Sequence, residues 1–295
     1  MEKLEGVIIK AVGGIYYVDS PQLIESPLKC AARGIFRLDG ISPSAGDRVR
    51  IERGQGGEAV ITEIFERKNY LVRPPLANLD GIVFVCSSCE PAPNRFILDK
   101  LIAIADSKGI EPMIVFTKID IRGLDDIIQV YESIGIKCCC VNNLAREGAE
   151  SVMEFISGKT TAFIGNSGVG KSSLMNTLFP QLELETAHIS KKLGRGRHTT
   201  RQVELYKLAG GYVADTPGFS TVDTERYCRI PKEELDLSFR EFGEYAQKCR
   251  FADCAHIREK DCAVRAAAES GAIAKSRYES YLRMYEEASK RNDWE

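Results

Sequence analysis

Long apolar runs are missing from this chain of 295 residues. No stretch approaches the roughly 18 residues that a membrane-spanning helix needs. The opening Met1-Glu2-Lys3-Leu4-Glu5 is charged and leads into no apolar signal core, so a cytoplasmic protein is expected. Charge of one sign is lacking too: the formal net charge is −2, which makes no global case for nucleic-acid binding. A disulfide framework is also absent. Ten Cys are present, but Cys138-Cys139-Cys140 ends an apolar stretch that reads as a buried strand, where free Cys behaves as a small hydrophobe. Cys86 and Cys89 form a C-x2-C pair with no second pair near them, which argues against a metal or redox centre there.

What remains is an ordinary soluble composition, 44% hydrophobic and 28% charged, long enough for two or three domains. Residues 1–68 read as about five short strands: Glu5–Lys10, Gly14–Asp19, Gly34–Leu38, Asp47–Glu52 and Glu58–Phe65. With no convincing helix among them, they predict a small OB-like or SH3-like barrel. After Asn69, apolar strands alternate with amphipathic helices, which predicts a parallel sheet covered on both faces. From about residue 223 the pattern is helical and charged. Leu235, Phe239 and Phe242 form one apolar stripe there. Tyr278, Tyr281, Leu282 and Tyr285 form another, read as packing rather than RNA stacking.

The densest chemical signal is Gly165-Asn166-Ser167-Gly168-Val169-Gly170-Lys171-Ser172. It fits Gly-x4-Gly-Lys-Ser, between an apolar strand and a helix. Gly-rich backbone can turn several N–H groups toward one anion. Lys171 would reach the β- and γ-phosphates and Ser172 would ligate Mg²⁺, with Ser173 closing the nucleotide-binding set. Downstream, Asp215-Thr216-Pro217-Gly218 follows the apolar strand Gly211–Ala214. Its Asp would contact Mg²⁺ and its Gly N–H would sense the γ-phosphate. Between the two lies Gly194-Arg195-Gly196-Arg197-His198-Thr199-Thr200-Arg201, suited to a mobile switch whose Thr binds Mg²⁺ in the triphosphate state. Spacing alone does not separate Thr199 from Thr200; Thr200 is the candidate carried forward.

Thr117-Lys118-Ile119-Asp120 ends another apolar strand and is similar to the guanine-reading Asn-Lys-x-Asp element. Asp120 would accept from guanine N1–H and the exocyclic amine, and the Lys118 stem would stack on the base. Thr117 replaces the usual Asn. The fifth element of such a site, a backbone contact to the base, falls near Val141-Asn142-Asn143. The order of these elements is unusual. The base-reading element precedes the phosphate loop and both switches follow it, as expected of a circularly permuted P-loop GTPase domain over 69–222.

Cys249-x4-Cys254-x-His256-x5-Cys262 supplies three thiolates and an imidazole in one short segment. That is the inventory of a closed, structural Zn²⁺ site, expected within an α-helical domain over 223–295.

Together these motifs resemble the bacterial ribosome small-subunit-dependent GTPase A family over almost the whole chain. The resemblance implies an OB-fold barrel, a circularly permuted GTPase domain and a zinc-binding domain. It also implies GTP hydrolysis to GDP stimulated by the 30S subunit during its late maturation, with contacts to 16S rRNA; a monomer is the simplest expectation. Phe219 stands where many GTPases place a water-orienting Gln. His198, to which the resemblance also points, is the internal candidate for positioning water, and a contact to RNA or solvent is its alternative. Arg195 and Arg197 could stabilise transition-state charge or bind rRNA phosphates. A P-loop ATPase or nucleotide kinase with a zinc tail, and an RNA-binding scaffold without turnover, are the competing classes.

Overall fold

A computed structural model describes residues 2–23, 27–34, 36, 40–54, 56–89, 91–118, 124–142, 147–182, 184, 203–216 and 229–290. The first strands are β1 (Glu2–Val12), β2 (Ile15–Asp19), β3 (Leu28–Ala32), β4 (Arg48–Arg53) and β5 (Ala59–Ile64). Apolar residues at alternate positions drive their pairing: Leu4, Ile8, Val49, Ile51 and Ile61 point inward and pack together, as a period of two dictates. Gly13 and Gly14, both at positive φ, make the two-residue turn that joins β1 to β2. The pairing runs β1–β2–β3–β5–β4, and β1 pairs again with β4 to close the ring. The β3–β5 pair is parallel, and the result is an OB-like barrel.

The third strand differs from the sequence expectation of Gly34–Leu38. It is Leu28–Ala32, where Cys30 fills an inward position at 2% exposure and Lys29 faces solvent. Phe36 instead packs into the barrel core from outside the strands. Its bulk suggested a strand residue, but it fills the core from a connecting segment.

Two short strands, β6 (Tyr70–Leu71) and β7 (Leu76–Ala77), lead into the central sheet of β8 (Gly81–Ser87), β9 (Glu111–Thr117), β10 (Lys137–Val141), β11 (Thr160–Ile164), β12 (Glu204–Leu208) and β13 (Gly211–Asp215). Its order is β10-β9-β8-β11-β13-β12. The first five run parallel, and β12 is antiparallel to β13. Near-continuous apolar strands put alternate residues into two cores, as burial on both faces requires. Ile82, Phe84, Ile114 and Phe116 meet helix α1 (Arg95–Ser107) on one face, where α2 (Asp125–Glu132) contributes Tyr131. Val83, Val85, Met113 and Val115 meet α3 (Ala149–Ile156) and α4 (Lys171–Leu178) on the other.

The antiparallel β12 lacks a clear sequence signal, and it joins the two sheets. Lys10 of β1 pairs with Glu204 of β12, and their side chains form a 2.8 Å ion pair. Asp19 of the barrel accepts a 2.6 Å hydrogen bond from the Tyr212 hydroxyl and pairs with Lys207.

The C-terminal region holds three 3₁₀ turns (Lys232–Glu234, Asp236–Ser238, Arg240–Phe242) and then α5 (Gly243–Ala246), α6 (Ala263–Ser270) and α7 (Lys275–Ser289). Leu235, Phe239, Phe242 and Tyr281 are buried in its core, with Tyr278, Leu282 and Tyr285 packed against it, so the tyrosine stripe is packing. This core closes over α1 through a charged contact. Arg277 is fully buried; it bonds Asp99 at 2.9 Å and Glu241 at 2.7 Å. Tyr131 and Ser280 hydroxyls complete the shell around Asp99. Burial opposes the Arg277 charge, but Glu241 and Asp99 hold its pKa above the ordinary range. Arg240 grips Asp106, and Lys100 pairs with Glu287. Among the described residues, no helix is long and apolar enough to cross a membrane.

Candidate functional site

The C-terminal ends of the parallel strands form one crest, the place where open α/β sheets bind ligands. Strand β11 ends there at Ile164, and residues 165–170 turn into α4. A side chain at Gly165 would put its Cβ 2.6 Å from the Val85 carbonyl oxygen, so only glycine lets the loop leave β11 beside β8. Gly168 and Gly170 have φ of 85° and 92°, the left-handed region that glycine occupies at little cost. Among the described residues, no side chain caps α4. The first-turn N–H groups of a helix are the ones an anion can bind. Asn166, Ser167, Val169, Lys171, Ser172 and Ser173 lie on this loop or in the first turn of α4.

Beside the loop, β13 runs parallel to β11 with Asp215 level with Phe163. Lys171 forms an ion pair with Asp215. The two predicted phosphate and Mg²⁺ partners are thus already in contact. The pair is mostly shielded, at 11% and 19% side-chain exposure, so a bound phosphate would compete for Lys171 in a low-dielectric setting. The Thr216 hydroxyl donates to the Phe163 carbonyl at 2.7 Å, which anchors the exit of β13. Gly218, Phe219 and the stretch with Arg195, Arg197, His198, Thr199 and Thr200 lie outside the described residues.

The candidate base-reading element begins with Thr117 at the end of β9. Thr117 is fully buried, and its hydroxyl donates to the carbonyl of Val169 in the phosphate loop. A second carbonyl, that of Cys86, lies 3.3 Å away. Thr117 therefore stitches the base-reading strand to the phosphate loop. Lys118 follows at φ 59°, and Ser88 holds its backbone: the Ser88 hydroxyl donates to the Lys118 carbonyl, and its N–H donates to the Thr117 carbonyl at 3.0 Å. Sequence reasoning missed Ser88, although its place just after the β8 run is a signal of the crest. Asp120 and Asn143 lie outside the described residues. Asn142 donates its N–H to the Glu147 carbonyl at 3.1 Å. A cleft lined by Val85, Cys86, Asn94, Ile97, Gly165 and Asn166 brings the N-terminal end of α1 beside the loop.

The second candidate site is the Cys/His cluster. One ligand atom from each of Cys249, Cys254, His256 and Cys262 lies within 4.8 Å of all the others. The Sγ atoms of Cys249 and Cys262 are 3.9 Å apart, and His256 Nδ1 is 3.5 Å from each. A tetrahedral Zn²⁺ with Zn–S near 2.3 Å and Zn–N near 2.05 Å needs S···S of about 3.8 Å and S···N of about 3.5 Å. The donor set fits that ion in kind and in spacing. Burial pushes the Cys254 thiol up to about 12, raises that of Cys262 and lowers the His256 imidazole. A desolvated neutral imidazole suits a metal, and buried thiols need its charge to ionise.

The loop carrying these ligands is tied down from three sides. Glu259 accepts the N–H groups of Ala255, Ile257 and Arg258. Tyr278 and Tyr281 hydroxyls donate to the carbonyls of His256 and Ala255, each at 2.7 Å.

A phosphate loop on a parallel sheet, with the base-reading strand before it and the Asp215 strand after it, defines a circularly permuted P-loop GTPase. The comparisons agree. Residues 64–225 match the family described as RsgA GTPase, and residues 5–61 match the RsgA N-terminal domain. The small ribosomal subunit biogenesis GTPase RsgA of Caldanaerobacter subterraneus subsp. tengcongensis is 42% identical, covering 99% of this chain and 98% of that relative. The Bacillus subtilis protein of the same name is 39% identical, over 97% and 98%. The crystal structure of YjeQ from Thermotoga maritima matches with a TM-score of 0.82 at 32% identity, over 99% of this chain and 100% of that one. That of YloQ, a circularly permuted GTPase, matches at 0.80 and 33%, over 100% and 98%. The chain belongs to the RsgA GTPase family of GTP-hydrolysing enzymes.

Proposed function

We propose that this chain hydrolyses GTP to GDP and phosphate during late maturation of the small ribosomal subunit, binding the 30S particle through its 16S rRNA. The observation that carries this reading is the near-full-length likeness to relatives named for small ribosomal subunit biogenesis, on a chain whose phosphate loop, Thr117 and Asp215 meet on one crest. The chain divides into a barrel over 1–68, the GTPase domain over 69–222 and a zinc-binding domain over 223–295, and it acts as a cytoplasmic monomer.

In this reading the N–H groups of residues 165–173 hold the β- and γ-phosphates and Lys171 leaves Asp215 to reach them. Thr117 positions the loop from below, while Lys118 and Asp120 read the guanine. Ser172, Thr200 and Asp215 would hold Mg²⁺, which neutralises charge on the β–γ bridge when bound. His198 orients the attacking water, since Phe219 has no group that can do so. Cys249, Cys254, His256 and Cys262 would hold one structural Zn²⁺, which stabilises the segment they close. Gly218 reports the γ-phosphate to the chain leading into that domain.

Turnover of GTP and ATP, measured with and without purified small subunits, tests the function. Subunit-dependent release of phosphate from GTP alone is expected. Turnover of ATP, or GTP turnover indifferent to the subunit, would refute it. Sedimentation with subunits should show tighter binding with a non-hydrolysable GTP analogue than with GDP; equal affinities would remove the switch.

A further inference from the structure

His256 is 2% exposed, and its two ring nitrogens have different surroundings. Nδ1 faces the thiols of Cys249 and Cys262. Nε2 is buried without a hydrogen-bond partner, which costs free energy unless something answers it. The carboxylate nearest to it among the described residues is Asp236, whose Oδ2 lies 3.8 Å away. The other acid close to this ring, Glu259, is engaged by three backbone N–H groups. Asp236 comes from a different part of the chain, the 3₁₀ turn Asp236–Ser238. Its neighbours Leu235 and Phe239 are both 1% exposed, so the turn is anchored in the core. The rings of Phe242 and His256 meet edge-on at 5.8 Å, which limits how the imidazole can lie.

We propose that Asp236 is a positioning residue for the metal centre: it accepts the Nε2–H of His256 and so fixes the tautomer that leaves Nδ1 unprotonated toward the three thiols. This rests on the zinc reading given under Proposed function. A metal-bound histidine commonly donates its other N–H to a carboxylate, which sets the ring's orientation and raises its basicity as a ligand. Here the 3.8 Å separation exceeds a hydrogen bond by less than about 1 Å. The proposal also gives the segment after the second switch a part in the metal site. The turn entering the C-terminal domain holds the centre from behind, so the site is completed by residues outside the ligand segment 249–262.

The test uses the full chain purified with zinc. The chain has three His, so long-range ¹H–¹⁵N spectra can assign the His256 tautomer directly. A protonated Nε2 and an unprotonated Nδ1 are expected in the wild type. Asp236→Ala should speed zinc transfer to a chromophoric chelator about 10- to 100-fold and move the Nε2 signal. Asp236→Asn, which keeps an acceptor oxygen, should recover most of the retention. A merely structural Asp236 would lower the melting temperature without moving the ¹⁵N shift. Wild-type zinc release together with an unmoved Nε2 signal in Asp236→Ala would overturn the proposal. So would an Asp236→Asn variant as leaky as Asp236→Ala. Metal analysis of the wild type separates the two layers: absence of zinc there overturns the zinc reading itself and this inference with it.

Discussion

Replacing Thr117 by Val tests whether the base-reading strand positions the phosphate loop. Valine keeps the shape of threonine and removes the hydroxyl alone. In the folded chain that hydroxyl is fully buried and donates to the Val169 carbonyl, so its loss leaves a buried carbonyl without this donor. Such a loss costs about 1–3 kcal/mol. If the bond holds the loop in its binding shape, the cost falls on nucleotide affinity, a weakening of roughly 5- to 150-fold at about 1.4 kcal/mol per tenfold. Thr117→Ser keeps the donor and should bind nearly as the wild type does. Thr117→Asn restores the residue found in the usual element and should bind at least as well as Thr117→Val. Dissociation constants for a fluorescent GDP analogue, with melting temperatures measured in parallel, decide the matter. A Thr117→Val chain that melts earlier yet binds GDP within twofold of wild type would refute the reasoning, because the bond would then support the fold and not the loop.

Arg277→Met should destabilise the chain by about 3–5 kcal/mol in urea unfolding, since it leaves Asp99 and Glu241 as uncompensated buried charges; adding Asp99→Asn should recover part of the loss. Burial pushes the thiols of Cys86 and Cys138 up to about 12 and that of Cys30 up to about 11, from 9.0. The folded chain therefore keeps protons that the unfolded chain releases above about pH 9, and stability should fall as pH rises from about 9 through about 11 to 12. Alanine at Cys86 should reduce that slope in urea titrations. Helix α1 lines the cleft beside Gly165 and holds Arg277 through Asp99, so GDP should slow amide exchange in α7 as well as in α4. Protection confined to the phosphate loop would exclude transmission through α1.

Local motifs were the most legible part of this chain. Gly165 to Ser172 needs only neighbours in the chain to be read, because its glycines shape the backbone that turns β11 into α4. The Cys and His spacing is local in the same way, and the four donors do converge. What was not legible depends on distant partners. Thr117 looked like a departure from the usual Asn. Its role depends on a carbonyl 52 residues along the chain, which no spacing rule brings to mind. Arg277 reads as one more charge on an exposed helix until Asp99, 178 residues away, is placed beside it. The third barrel strand was misplaced because Phe36 carries a strand-like bulk, whereas the small Leu28-Lys29-Cys30-Ala31-Ala32 alternates too quietly to stand out. Strand β12 escaped for a related reason: Tyr206, Lys207 and Glu204 show little apolar period, since β12 bridges two sheets and is only partly covered.

The bridging strand bears on how a nucleotide signal leaves the site. Asp215 sits at the end of β13, and β13 forms a hairpin with β12. The barrel is fastened to that same hairpin by Lys10 on Glu204 and by Asp19 on Lys207 and Tyr212. The region with the Cys/His cluster is fastened downstream of it by the chain itself, and laterally through α1. In a GTPase that begins with its phosphate loop, the strand carrying the Asp-x-x-Gly element leads onward into the nucleotide domain. Here permutation leaves the hairpin between two modules. Asp215, in its ion pair with Lys171, therefore lies on a hairpin whose other strand is fastened to the barrel. The exposed Lys207, at 63%, makes the weaker of the hairpin's barrel contacts, because a solvated ion pair contributes little. The other end of that contact, Asp19 at 5% exposure, is shielded and also accepts from the Tyr212 hydroxyl.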